Sequence, residues 1–260
     1  MSGLPRRLSP TSIDRWRQCP RRFLYQDIER RPFEDTKTYE QTLGEVVHAT
    51  LEWLVRAVDA DKRDEPALIR SLDKSLSRLA STGQLSAADS SRMRAEALDM
   101  LLGYVRSGAL SDVNALKVET TFQLRLRNGA AIHTRIDRVD TTESHQLHIV
   151  DYKSGRYQIE ADELSKETPA IVQLLAVTEA SDIPVERVSW VYLRTGETIS
   201  WWPELQDVEF AAERLKKVLR RMHLDREYLP NAGPHCVGCP FRAVCPVSAS
   251  ASPSEMPQAA

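Results

Sequence analysis

The sequence is missing several features, and each absence removes a class of function. In 260 residues no apolar run approaches the length that crosses a bilayer. The basic amino terminus is not followed by an apolar segment, so neither an anchor nor a secretory leader is expected, and a cytoplasmic protein is. Charge of one sign is also missing. Thirty-five Lys and Arg stand against 37 Asp and Glu, leaving a net charge of −2 and a pI near 6.3. Global attraction to a polyanion is therefore excluded, and such a partner must be met by local basic patches or through a metal. No Gly-x-x-x-x-Gly-Lys-Ser/Thr loop occurs, so the chain does not itself hydrolyse ATP in the P-loop manner. Cysteine is scarce, with four in all.

What remains is an ordinary globular composition, 42% hydrophobic and 28% charged, enough for one sizeable core with elaborations or two small domains. The stretch from Arg135 to Gly155 stands out within it. RIDRVD (135–140) and HIVDYKSG (148–155) read as two β-strands joined by a polar turn. In the second strand Leu147, Ile149, Asp151 and Lys153 alternate with His148, Val150 and Tyr152, which puts the acid and the lysine on one face, near Asp137 of the first strand. Two carboxylates held together repel, and a hard divalent cation such as magnesium or manganese relieves the repulsion. Beside such a cation, a lysine supplies a positioned charge for phosphodiester hydrolysis. The plainer alternative is a surface hairpin in which Asp151 pairs with Lys153 or Arg135, and on Asp-x-Lys alone both readings stand.

The rest of the chain supplies context. Arg15, Arg17, Arg21, Arg22, Arg30 and Arg31 are interleaved with Trp16, Phe23 and Tyr25. That mixture suits single-stranded nucleic acid, or equally an amphipathic helix with a solvated basic face. Ser9, Thr11 or Ser12 caps a helix that ends or bends near Cys19 and Pro20. Thr42 to Val58 reads as a helix opened by a Thr42–Glu45 capping box, with His48 off its apolar stripe. Residues 65–107 read as two helices, and then the period changes to strands over 118–126 and 132–140, which with the next strand form an antiparallel meander. Glu119 either supports a site from behind or is solvated. A helix opens at Thr168 and Pro169 and carries Gln173. Strands over 187–193 and 198–202 follow, then a helix over 204–226 with Lys216, Lys217, Arg220 and Arg221 on a phosphate-facing or solvated ridge. Residues 247–260, rich in Ser, Ala, Pro and Gln, are expected to be disordered.

Cys236, Cys239 and Cys245 form C-x2-C-x5-C, with Cys19 near the other end. Disulfides are disfavoured in a cytoplasmic chain, so a metal site is the first hypothesis. Zinc usually takes two close pairs, and a trio plus a distant single cysteine suits a four-iron four-sulfur cluster better. Such a cluster would staple the two ends of the chain together.

Taken in order, the opening segment through Cys19, GEVVH (44–48), RIDRVD, DYKSG, the helix with Gln173 and the terminal cysteines resemble the PD-(D/E)XK nuclease superfamily, RecB-like branch, iron-sulfur members. The resemblance spans nearly the whole chain. It implies a restriction-endonuclease-like α/β fold, a central mixed sheet flanked by helices, as one domain over 1–246. A helical insertion at about 60–110 and a cluster segment at 230–246 would be its elaborations. It further implies that His48, Asp137 and Asp151 bind magnesium or manganese, that Lys153 orients or deprotonates water, and that Gln173 lies near the DNA. The tyrosine that usually follows the glutamine one turn on is Val177 here. Cys19, Cys236, Cys239 and Cys245 match the ligands of a 4Fe-4S cluster. The implied activity is a metal-dependent exonuclease on single-stranded DNA or DNA ends in repair or recombination, with a possible helicase or recombination partner and no membrane. The rival reading is a non-catalytic DNA-binding or scaffolding subunit of a helicase–nuclease complex.

Overall fold

One long strand, β3 (Ala131–Thr141), serves as the spine of a six-stranded mixed sheet. The computed structural model describes residues 4–33, 37–81, 87–111, 113–127 and 129–247; the expected disordered tail, apart from Val247, lies outside them. Strand β2 (Ala115–Arg125) pairs antiparallel with β3 along most of its length. The opposite edge of β3 has two partners: β1 (Arg7–Leu8), parallel, at Ala131 and Ile132, and β4 (Leu147–Lys153), antiparallel, from Arg138 to Thr141. The expected meander is thus β2–β3–β4. Strand β5 (Val185–Tyr192) runs parallel to β4, and β6 (Glu197–Trp201) antiparallel to β5. A parallel neighbour requires a crossover, which helix α6 (Thr168–Ala180) provides.

Both faces of the sheet are covered, because β4 is apolar on both. Leu147 and Ile149 join a core beneath α6, whereas Val150 and Tyr152 join one formed by α3 (Tyr39–Ala57), α4 (Glu65–Ser81) and α5 (Ala87–Arg106). Leu43, Leu51, Leu54, Leu68 and Leu101 are fully buried in this second core, each contributing about 1.5–3 kcal/mol of transfer free energy. Helices α1 (Pro10–Gln18), α6 and α7 (Leu205–Leu224) enclose a third cluster with Phe23, from the short α2 (Pro20–Phe23), and Ile132. Among the described residues no helix is long and apolar enough to cross a membrane.

Several local expectations shift. Helix α3 begins three residues before Thr42, because Thr38 and Gln41 form an equivalent capping box one turn earlier, and the Thr42 hydroxyl donates to the Thr38 carbonyl. At α1 the cap is Ser9, closed reciprocally by Ser12, with Pro10 in the first turn. Trp16, Phe23 and Tyr25 are buried and Arg15 pairs with Asp27 at 2.5 Å, so the first segment is an amphipathic element whose aromatic faces are spent on the core. The basic residues of α7 are exposed, and Lys216 pairs with Glu213, which matches a solvated face.

The two ends of the chain meet. Trp16 donates to Asp225 at 2.9 Å, Asn231 donates to the Gln18 carbonyl at 2.9 Å, and Phe241 packs edge-on against Tyr25 and Phe33.

Candidate metal centre

Arg138 of β3 faces Val150 of β4, so the next step would set Asp137 opposite Asp151, and at that step the ladder stops. In place of a strand partner, the Asp137 carboxylate accepts the Tyr152 N–H at 2.7 Å. The two strands part around a pair of acids. Helix α3 brings His48 to the gap, with Nδ1 3.1 Å from the Asp137 carboxylate. It comes this near because of Gly44, one turn earlier. A Cβ there would lie 3.0 Å from the Ser154 hydroxyl just beyond β4, tighter than ordinary contact, so a larger residue would require Ser154 or the helix to give way.

A fourth residue was not singled out as a ligand in the sequence. Val118 faces Arg138 and Thr120 faces Ile136, which brings Glu119 level with Asp137 across the ladder. Its backbone leaves the strand conformation at φ 45°, and its side chain is only 4% exposed. Arg135 forms a salt bridge with it. One carboxylate oxygen of Glu119, one of Asp137 and a ring nitrogen of His48 all lie within 4.8 Å of one another. Strict alternation could not show this, because the irregular φ turns the side chain. The available signal was the register: once Asp137 is a candidate, whatever lies opposite it on β2 becomes one too.

Asp151 stands beside this trio. One oxygen is bonded by Lys153 and the other accepts from Gln173 at 3.3 Å. Lys153 is held on its far side by Trp190, whose ring centroid is 3.9 Å from Nζ, an attraction between ammonium and aromatic face. Trp190 pairs with Asp151 in the β4–β5 ladder. Gln173, placed near DNA by the family resemblance, is 2% exposed and its amide points to Asp151. Its carbonyl oxygen is buried without a partner. Val177, one turn on, is buried in the core.

The electrostatics follow from burial and crowding. Burial raises the pKa of Asp151, and repulsion from Asp137 adds to it, against the pull of Lys153. Burial acts the same way on Asp137, but the His48 and Tyr152 hydrogen bonds and nearby positive charge outweigh it, so its pKa is lowered. For Glu119, burial and repulsion from Asp137 outweigh Arg135 and raise the pKa. His48 is raised: burial opposes its charge, and the surrounding carboxylates prevail. A site built from carboxylate oxygens and one imidazole, its acids crowded enough to repel one another, fits a hard divalent cation such as magnesium or manganese.

The four cysteines line one small cavity together with Arg21, Arg22 and Tyr25. The Nε–H groups of Arg21 and Arg22 are buried with no partner, and an anionic sulfur cluster would supply acceptors. Four thiols in one cavity beside two unpartnered guanidinium N–H groups form a donor set that fits a thiolate-held metal group.

Comparison with known proteins bears on this arrangement. The family model of the PD-(D/E)XK nuclease superfamily matches residues 7–246. No curated protein matches the chain. Among solved structures, the crystal structure of SSO0001 is similar at 12% identity and a TM-score of 0.35, covering 79% of this chain and 85% of that one.

Proposed function

Because this chain belongs to the PD-(D/E)XK nuclease superfamily, a family of metal-dependent nucleases, we propose that it is a deoxyribonuclease of the RecB-like branch with its active site where β3 and β4 part. In this reading it is an exonuclease on single-stranded DNA or DNA ends, acting in repair or recombination, with a helicase or recombination protein as partner. The observation that carries the catalytic reading is the convergence of His48, Asp137, Asp151 and Lys153 on one gap in the sheet. A non-catalytic subunit would have no need to bury two mutually repelling carboxylates beside a lysine.

His48, Asp137 and Asp151 would hold the divalent cation, with Glu119 alongside. When bound, the cation lowers the pKa of water and neutralises charge developing on the phosphate. The chain does the rest. Asp137 is fixed by the Tyr152 N–H and His48 by Asp137, so two ligands are oriented before a metal arrives. Gln173 and Lys153 orient Asp151. With a cation held by these acids, Asp151 would grip Lys153 less, and the ammonium, steered by Trp190, would be available to orient the attacking water and face the phosphate.

Cys19, Cys236, Cys239 and Cys245 would hold the 4Fe-4S cluster, with Arg21 and Arg22 balancing its charge. Its contribution is to folding, since it joins the first helices to the terminal segment.

The decisive experiment digests end-labelled single- and double-stranded DNA with magnesium or manganese, beside Asp151→Ala and Lys153→Ala. Loss of cutting in both variants is expected. Wild-type rates in either, or cutting without divalent metal, would overturn the assignment.

A further inference from the structure

A cleft of about 980 Å³ runs along α3 and α4. His48 and Asp137 line it, and so do Trp53, Arg56, Lys74, Arg78 and Arg135. The cleft is continuous with the candidate metal centre. Along α3, His48, Glu52 and Arg56 follow one another at four-residue spacing, so the wall runs about 12 Å from the histidine at 1.5 Å per residue. Lys74 and Arg78 are one turn apart on α4, which is tied to α3 by the Ser71–Thr50 and Thr50–Ser75 hydrogen bonds.

The charge in this cleft is unevenly spent. Glu52 pairs with Arg56 and Glu45 with Lys37, while Arg135 is taken by Glu119. Among the described residues neither Lys74 nor Arg78 has a carboxylate partner, and both are exposed. Trp53, half-buried, lines the same cleft, with the Lys74 ammonium 5.0 Å from its ring centroid. An indole in a groove with unneutralised cations offers a stacking surface and phosphate contacts together, the combination that holds a single strand without reading its sequence. A duplex hides its base faces and cannot use the indole.

We propose that this cleft is the track by which one DNA strand enters the metal centre, with Trp53 stacking a base and Lys74 and Arg78 contacting phosphates. The proposal rests on the nuclease reading above. It gives the helical segment after residue 60 a task, since α4 supplies the phosphate-facing wall of the track while Trp53 of α3 supplies the preference for a single strand.

The test is binding of a fluorescent single-stranded oligonucleotide and its matching duplex, by anisotropy across a salt series, in the full chain carrying Lys153→Ala. Trp53→Ala is expected to weaken single-strand binding roughly 5- to 100-fold, with Trp53→Phe recovering most of the loss. Lys74→Gln combined with Arg78→Gln is expected to flatten the dependence of log Kd on log salt by about 1.4, two contacts at about 0.7 each. Duplex binding should change less in both cases. Lys62→Ala, at an exposed lysine paired with Asp59, is the control. Unchanged single-strand affinity in a folded Trp53→Ala protein, an unchanged salt slope in the double variant, or equal losses for duplex would each overturn the track. Should Trp53→Ala not fold, the Lys74 and Arg78 variant, changed only at exposed positions, decides alone. A wild-type chain that binds through the cleft yet never cuts DNA would instead sink the nuclease reading and leave the track standing.

Discussion

The carboxylate of Asp137 takes the backbone N–H of Tyr152 at 2.7 Å, filling the place a strand partner would have held. One side chain thereby closes the end of the β3–β4 ladder and leans on His48. Structure and chemistry are separable at this residue. Asp137→Asn keeps an acceptor for the Tyr152 amide and should unfold at nearly the wild-type urea concentration while losing DNA cleavage. Asp137→Ala leaves a buried N–H unpaired, about 1–3 kcal/mol, and should lose both. Urea midpoints beside a digestion assay check this; an active Asn variant would contradict it.

Glu119 contributes a carboxylate to the trio with His48 and Asp137 while Arg135 holds it. Glu119→Gln preserves shape and removes the charge. Manganese titration calorimetry should then show affinity weakened roughly 10- to 100-fold, with the fold unchanged by circular dichroism. Unaltered affinity would reduce Glu119 to a partner of Arg135.

His148 predicts how stability responds to acid. Burial and the neighbouring Arg187 and Arg138 push its pKa down to about 3. Arg187 donates to Nδ1 at 3.2 Å, which leaves the ring proton on Nε2 for Ser189 at 2.8 Å, so the ring is neutral. Its 3.8 Å approach to Asp140 is accordingly not an ion pair. The unfolded chain binds this proton near pH 6.5 and the folded one only near 3, so the contribution is present above about 6.5 and is lost as pH falls from there. The urea midpoint should drop between pH 7 and pH 4.5 by the equivalent of a few kcal/mol, and His148→Gln should show a shallower drop. Parallel pH profiles would refute the role.

The cysteine cavity makes a chemical prediction. Protein purified without oxygen should be brown, absorb in the visible and contain iron, and Cys19→Ser should lose iron and melt at a lower temperature. Zinc in place of iron would exclude the cluster.

How much of this was legible beforehand depends on the kind of information each residue carries. The β2–β3–β4 meander and the shared face of Asp151 and Lys153 follow from period two. The start at 42 was three residues late, because Thr38 and Gln41 form a capping box that composition alone does not rank, whereas α6 does open at Thr168, with Glu167 rather than Thr168 in the cap position. Glu119 was half-read, since a left-handed φ inside a strand leaves no mark in a hydrophobic pattern. Trp190 was invisible as a neighbour of Lys153, because parallel pairing across a helix crossover fixes that contact, and register between distant strands is a tertiary fact. Trp16, Phe23 and Tyr25 could have faced solvent or core on sequence grounds, and burial decided for the core.

The meeting of the chain ends also governs when this protein can become itself. Trp16 waits for Asp225, 209 residues later, and the Gln18 carbonyl waits for Asn231, 213 later. During synthesis at roughly 5–20 residues per second, the first helix emerges at least ten seconds before its partner exists. Its apolar face can meet Ile132 and α6 earlier, but these two bonds must wait. Completion of this packing therefore waits on residues 225 and 231, more than 200 positions after the helix they bond.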